Sequence, residues 1–166
     1  MLDTATQRAT AHGELKRSHD LPPYEAADVT WLAVIKLANL LPGDSEYKRL
    51  IALLDSLPSE RIQTILSHQA VDTLLNLAPP LESVLNMPHE RLDKTRTAQE
   101  MGIIRKCRNA EPKCALKNLV KILKRVRNRR AHGFKTPNGS RDQQILSSVA
   151  SLLRAIGEAA IDVIET

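Results

Sequence analysis

Apolar residues return at helical spacing in segment after segment of this chain, and proline or glycine closes most of the segments. Trp31, Leu32, Ile35, Leu37, Ala38 and Leu41 form a broad face that ends at Pro42-Gly43. Tyr47, Leu50, Ile51, Leu54 and Leu57 form the next, which stops at Pro58, and Asp44 or Ser45 stands where a helix cap belongs. Ile62, Ile65 and Leu66 follow, then Val71, Leu74, Leu75 and Leu77. Beyond Pro79-Pro80 and Pro88, the stretch from Arg91 to Arg108 adds Met101, Ile103 and Ile104, and a final helix from Arg141 repeats Ile145, Val149, Leu152, Ile156, Ala160 and Val163. This is the 3.6-residue period of helices that bury one face, and no alternating strand pattern competes with it. The expected fold is all-α. No apolar run approaches the ~20 residues of a membrane span, and no apolar signal core opens the chain, so a cytoplasmic protein is expected.

Residues 1–22 are polar and weakly patterned, and Pro22-Pro23 closes them off. They read as a flexible N-terminal arm or a short frayed helix, followed by one helical domain over residues 23–166, a length that supports one core and is short for two. Cys107 and Cys114 are too few for a disulfide scaffold and lack the spacing of zinc ligands; reduced thiols are expected, with neither metal nor cofactor.

Charge is unevenly spread. Between Arg105 and Lys135 stand twelve Lys or Arg against one acid, Glu111, a net +11 that leaves −6 on the rest of a chain whose total is +5. A basic segment on an otherwise acidic protein suits a polyanion partner; a solvated helix face explains the charge equally well. Within this segment Ala115 to Arg130 reads as an amphipathic helix with Leu116, Leu119, Val120, Leu123 and Val126 on its apolar side. The same spacing carries Arg127 onto the face of Leu116, Val120 and Leu123, while Lys117, Lys121, Lys124, Arg125, Asn128 and Arg129 cover the other sides. An arginine aimed at a packed seam needs a reason.

Arg127 and His132 are spaced R-x4-H, with Asn128 one turn before the histidine and Gly133 just after it. Arg127-Asn128-x-x-Ala131-His132 resembles the R-x4-6-H motif of HEPN domains. His132-Gly133-Phe134-Lys135, with Arg141-Asp142 opening the last helix, resembles the pattern of ApeA-like HEPN proteins, and Trp31-Leu32-Ala33-Val34 with Asn39 is loosely similar to the first helix of that group. The departure is Arg130, where such sequences often carry an apolar residue.

The resemblance implies a HEPN-like antiparallel helical bundle with additional N-terminal helices. It also implies metal-independent RNA cleavage at a site completed across a homodimer, in a defence or toxin–antitoxin setting with a possible antitoxin or defence-system partner. Arg127, Asn128 and His132 would be the catalytic residues. A histidine with an ordinary pKa near ~6.5 can take a proton from an RNA 2′-hydroxyl or return one to the leaving oxygen. A guanidinium can hold the scissile phosphate by two hydrogen bonds. Arg127 and His132 lie about 140° apart on an ideal helix, so one chain aims them poorly and a second copy would complete the site. Lys121, Lys124, Arg125, Arg129, Arg130 and Lys135 are expected to follow the RNA backbone. With four aromatic residues in the chain, little base stacking is expected.

Other readings stand beside this one. A non-catalytic HEPN-type module would bind RNA or protein through the same helix. His132 could instead satisfy the last carbonyls of its helix while Arg127 pairs with an acid such as Asp142 or Glu158. An unrelated DNA-binding regulator ranks lowest, because Asn109 to Lys113 is a poor helix-turn-helix turn.

Overall fold

The computed structural model describes residues 3–77, 91–131 and 140–164, which among them hold eight α-helices and no strand. These are α1 (Thr4–Arg17), α2 (Pro23–Ala38), α3 (Glu46–Ser56), α4 (Ser59–Leu66), α5 (Gln69–Leu75), α6 (Arg91–Cys107), α7 (Pro112–Ala131) and α8 (Ser140–Ile164). The short 3-10 turn Ser18–Asp20 links α1 to α2. No helix among the described residues is long and apolar enough to cross a membrane.

The longest helix, α8, organises the core. Ile145, Val149, Leu152, Leu153, Ile156 and Ala160 are buried along it, and α2, on which Ala27, Trp31, Val34 and Ala38 are buried, packs against it. A second layer is the antiparallel pair α6 and α7, joined at Asn109-Ala110-Glu111 and started by Pro112 in the first turn of α7. Helices α3, α4 and α5 close the sides, α3 and α4 against both α7 and α8, α5 against α8. The α2–α8 and α6–α7 pairs form a helical bundle, the coarse architecture that the apolar spacing predicts.

The ends of the helices follow local chemistry. Ser45 caps α3 by accepting the Lys48 amide at 3.1 Å. His68 separates α4 from α5 and caps the latter, its Nδ1 accepting the Ala70 amide at 3.0 Å, which gives this histidine a structural task. Two arginines of α6 and its exit satisfy the opposite ends: Arg105 donates to the Leu75 carbonyl, the last of α5, and Arg108 Nε to the Leu66 carbonyl, the last of α4, at 2.7 Å. Arg108 also reaches Asp72 at 2.6 Å, and this bond holds the Asp72 carboxyl below the usual carboxylate range.

Residues 4–17, expected as a flexible arm or a short frayed helix, form a helix that packs against α2 and α8. Asp3 caps α1 through the Thr6 amide at 2.8 Å, Ala11 and Leu15 are buried against α2 and α8, and Lys36 of α2 pairs with Glu14. Its apolar stripe is only one or two residues wide, too narrow for periodicity to reveal. On the far side of that contact Gly157 lets α8 approach closely: a Cβ there would lie 2.8 Å from the methyl groups of Leu15.

Candidate functional site

Helix α7 carries the motif. Leu116, Val120 and Leu123 are buried, so the stripe that the spacing predicts is the stripe the fold covers, and Arg127 lies along its extension at the seam with α2. The Arg127 side chain is 27 % exposed. Its Nε faces Asp28 of α2 at 3.9 Å, beyond hydrogen-bond range, and its terminal nitrogen leans toward Asn128 Oδ1 at 3.4 Å. The acid beside Arg127 is therefore Asp28, not Asp142 or Glu158. Arg127 Nε donates no hydrogen bond among the described residues.

Arg125, two positions earlier, is placed quite differently. It grips Glu100 of α6 through two bonds, at 2.5 and 2.8 Å, and donates to Thr97 at 2.9 Å. Its side chain is 17 % exposed and that of Glu100 10 %. Arg125, expected to follow the RNA backbone, forms a bidentate clamp between α6 and α7 and also lines the groove between them. Periodicity gives its direction on α7; it cannot show that a glutamate on the neighbouring helix meets it there.

The rest of the basic segment divides in the same way. Lys113 donates to the Asp55 carbonyl at 3.0 Å and Lys117 pairs with the Asp55 carboxylate at 2.8 Å, tying α7 to the end of α3. With Arg105, Arg108, Arg125 and Arg127, six of the twelve cations face groups of their own chain. Lys121 and Lys124 have no hydrogen bond or ion pair among the described residues and line a groove of about 560 Å³ between α6 and α7. Arg96, Gln99 and Ile103 of α6 and Asn118 and Asn128 of α7 complete most of its wall. Tyr47 stands at its edge, 53 % exposed. Sequence spacing places Tyr47 on the Leu50 and Leu54 stripe, but in the first turn of α3 that stripe reaches the groove rim instead of the core. Of the expected site residues, Lys121, Lys124, Arg125 and Asn128 thus share one groove and Arg127 lies on the α2 side. The side chains of Arg129 and Arg130, and all of His132 and Lys135, lie outside the described residues.

Two further features were not legible in the spacing. A cleft of about 730 Å³ opens between α5 and the start of α8, lined by Asp72, Asn76, Ser140, Arg141 and Gln144 among others. At the α6–α7 turn Cys107, Glu111 and Cys114 come together, their ligand atoms all within 4.8 Å of one another. Burial pushes the Cys107 thiol up, and the adjacent Cys114 adds to the effect.

No family model, no curated protein and no solved structure matches this chain.

Proposed function

We propose that this protein is a metal-independent endoribonuclease of the HEPN type, which cleaves RNA by attack of the 2′-hydroxyl on the adjacent phosphate. Arg127 clamps that phosphate, His132 transfers the proton, Asn128 orients one or the other, and a second copy of the chain completes the site. The observation that carries the reading is the contrast between two arginines on one helix. Arg125 makes two hydrogen bonds to Glu100 and one to Thr97. Arg127 is held in place by the α2–α7 seam, yet its nearest carboxylate stands 3.9 Å away. A guanidinium positioned by packing and left with donors to spare suits a phosphate ligand better than a structural strut. Lys121 and Lys124 supply affinity for the backbone in the adjoining groove.

A mixed RNA pool in excess EDTA, with a matched 2′-deoxy strand as control, tests the proposal. Wild-type protein should leave cyclic phosphate ends and spare the deoxy strand. His132→Ala and Arg127→Ala should each lose roughly 10²–10⁴-fold in rate while binding RNA nearly as well as wild type. The groove also supports a second reading, a non-catalytic RNA-binding module, since Tyr47 and two unengaged lysines can hold a strand without cutting it. Intact binding with no cleavage by wild type would select that reading.

A further inference from the structure

At the turn between α6 and α7 three side chains of metal-ligating type converge. Cys107 ends α6, Glu111 lies in the turn, and Cys114 occupies the first turn of α7. The ligand atoms lie within 4.8 Å of one another, and both cysteines are half-buried while Glu111 is exposed. Around a tetrahedral zinc ion with Zn–S bonds of ~2.3 Å, two sulfurs sit about 3.8 Å apart, so rotation of short side chains closes the remaining distance. Cys114 stands in the first turn of a 20-residue helix, and the buried Asn118 amide points Nδ2 at its sulfur from 3.8 Å while donating to the Cys114 carbonyl at 2.8 Å, which fixes the direction of the side chain.

We infer that Cys107, Glu111 and Cys114 form a binding site for a thiophilic divalent cation, zinc by its chemistry, with a fourth position open to solvent on the side of Glu111. Two thiolates and one carboxylate select zinc over calcium or magnesium, which take oxygen ligands. Binding replaces the two thiol protons by the metal and releases them to solvent; the carboxylate is already ionised and contributes none. The ion ties the end of α6 to the start of α7, across the turn closed by the backbone bond from the Glu111 amide to the Cys107 carbonyl at 2.8 Å. Cys114 and Arg127 are thirteen positions apart on α7, about 20 Å along the axis. The metal is thus remote from Arg127, and the site does not rest on the ribonuclease reading.

Titration of the reduced full-length protein with Co²⁺ under anaerobic conditions tests the site, followed by displacement with Zn²⁺. One Co²⁺ per chain is expected, with a thiolate charge-transfer band and the visible bands of tetrahedral cobalt, both erased by one equivalent of Zn²⁺. Cys107→Ser and Cys114→Ser should each weaken Zn²⁺ binding at least ~100-fold, and Glu111→Gln, an exposed and shape-preserving change, about tenfold. Apparent affinity should rise up to about 100-fold per pH unit while both thiols are protonated in the empty site. Arg127→Ala should bind like wild type, which separates this site from any failure of the catalytic proposal. Absence of stoichiometric binding, a cobalt spectrum without the thiolate band, or Glu111→Gln and both serine variants binding like wild type would overturn the inference. So would thiols that close to a disulfide in air while the reduced protein takes up no metal.

Discussion

Arg125 and Arg127 carry the same side chain two positions apart, yet their surroundings give them opposite energetics. Removing Arg125 strands the Glu100 carboxylate, 10 % exposed, beside Thr97, which is fully buried. An ion pair broken from one side leaves an uncompensated charge, so Arg125→Ala should cost about 3 kcal/mol in urea denaturation. Arg125→Lys should recover only part of that, since an ammonium cannot reproduce the two parallel bonds. Arg127→Ala should cost less than ~1 kcal/mol, because at 3.9 Å it makes no hydrogen bond to Asp28 and both side chains are more than a quarter exposed. Equal losses at the two positions would show that Arg127 is a strut, and the catalytic reading would lose its main support. The direction of Arg127 was legible in the sequence, because Leu116, Val120 and Leu123 define a stripe that Arg127 extends. The engagement of Arg125 was not, because Glu100 lies 25 residues away on another helix and nothing in the local spacing names it.

The helices themselves divide by how wide an apolar face they present. Helices α2, α3, α7 and α8 bury broad stripes, and their spacing in the sequence announces them. Helix α1 offers Ala11 and Leu15 alone as buried apolar residues, so its polar composition reads as an arm until its capping aspartate and its docking surface are in view. The glycines test these contacts. Gly13 in α1 and Gly102 in α6 have nothing within 4 Å of an added Cβ. Gly13→Ala and Gly102→Ala should each stabilise the protein by ~0.5–1 kcal/mol, through lower backbone entropy in the unfolded chain and better helix propensity. Gly157→Ala gains the same propensity but drives a methyl into Leu15, whose side chain is buried. Overpacking of this kind costs ~1–3 kcal/mol, so a net loss near 1 kcal/mol is expected in thermal or urea melts. A stabilised Gly157→Ala would mean that α1 yields easily from α8.

Across the whole molecule, the segment of net +11 is a less open surface than its charge suggests. Arg105, Arg108, Lys113, Lys117 and Arg125 close helix ends or pair across helices, and their charge is partly neutralised by the acids and carbonyls they meet. The cations left to meet the proposed RNA are therefore a smaller set that includes Lys121 and Lys124. Lys121→Ala and Lys124→Ala should each reduce the slope of log affinity against log salt by about 0.7 for single-stranded RNA, whereas Lys117→Ala should change it little. A slope loss at Lys117 equal to that at Lys121 would mean that the Asp55 pair opens when RNA binds. The helical class and the run of basic residues were readable from composition and period. The partition of those cations between holding the fold and facing a ligand was not, because it depends on which carbonyls and acids the tertiary structure brings within reach.

The arginines that close α4 and α5 also bear on how the polypeptide could be divided. Arg105 and Arg108 bind the ends of two helices that precede Leu77 in the chain, while they themselves follow Arg91, and Lys113 and Lys117 add a hold on Asp55. Recognition between the first half and the second is thus written into side chains, not only into the peptide linkage between them. Residues 1–77 and 91–166 produced as separate polypeptides should complement one another and co-purify as a helical 1:1 complex. Arg105→Ala combined with Arg108→Ala should weaken that reassembly far more than it weakens the uncut chain, whose halves remain tethered at high effective concentration.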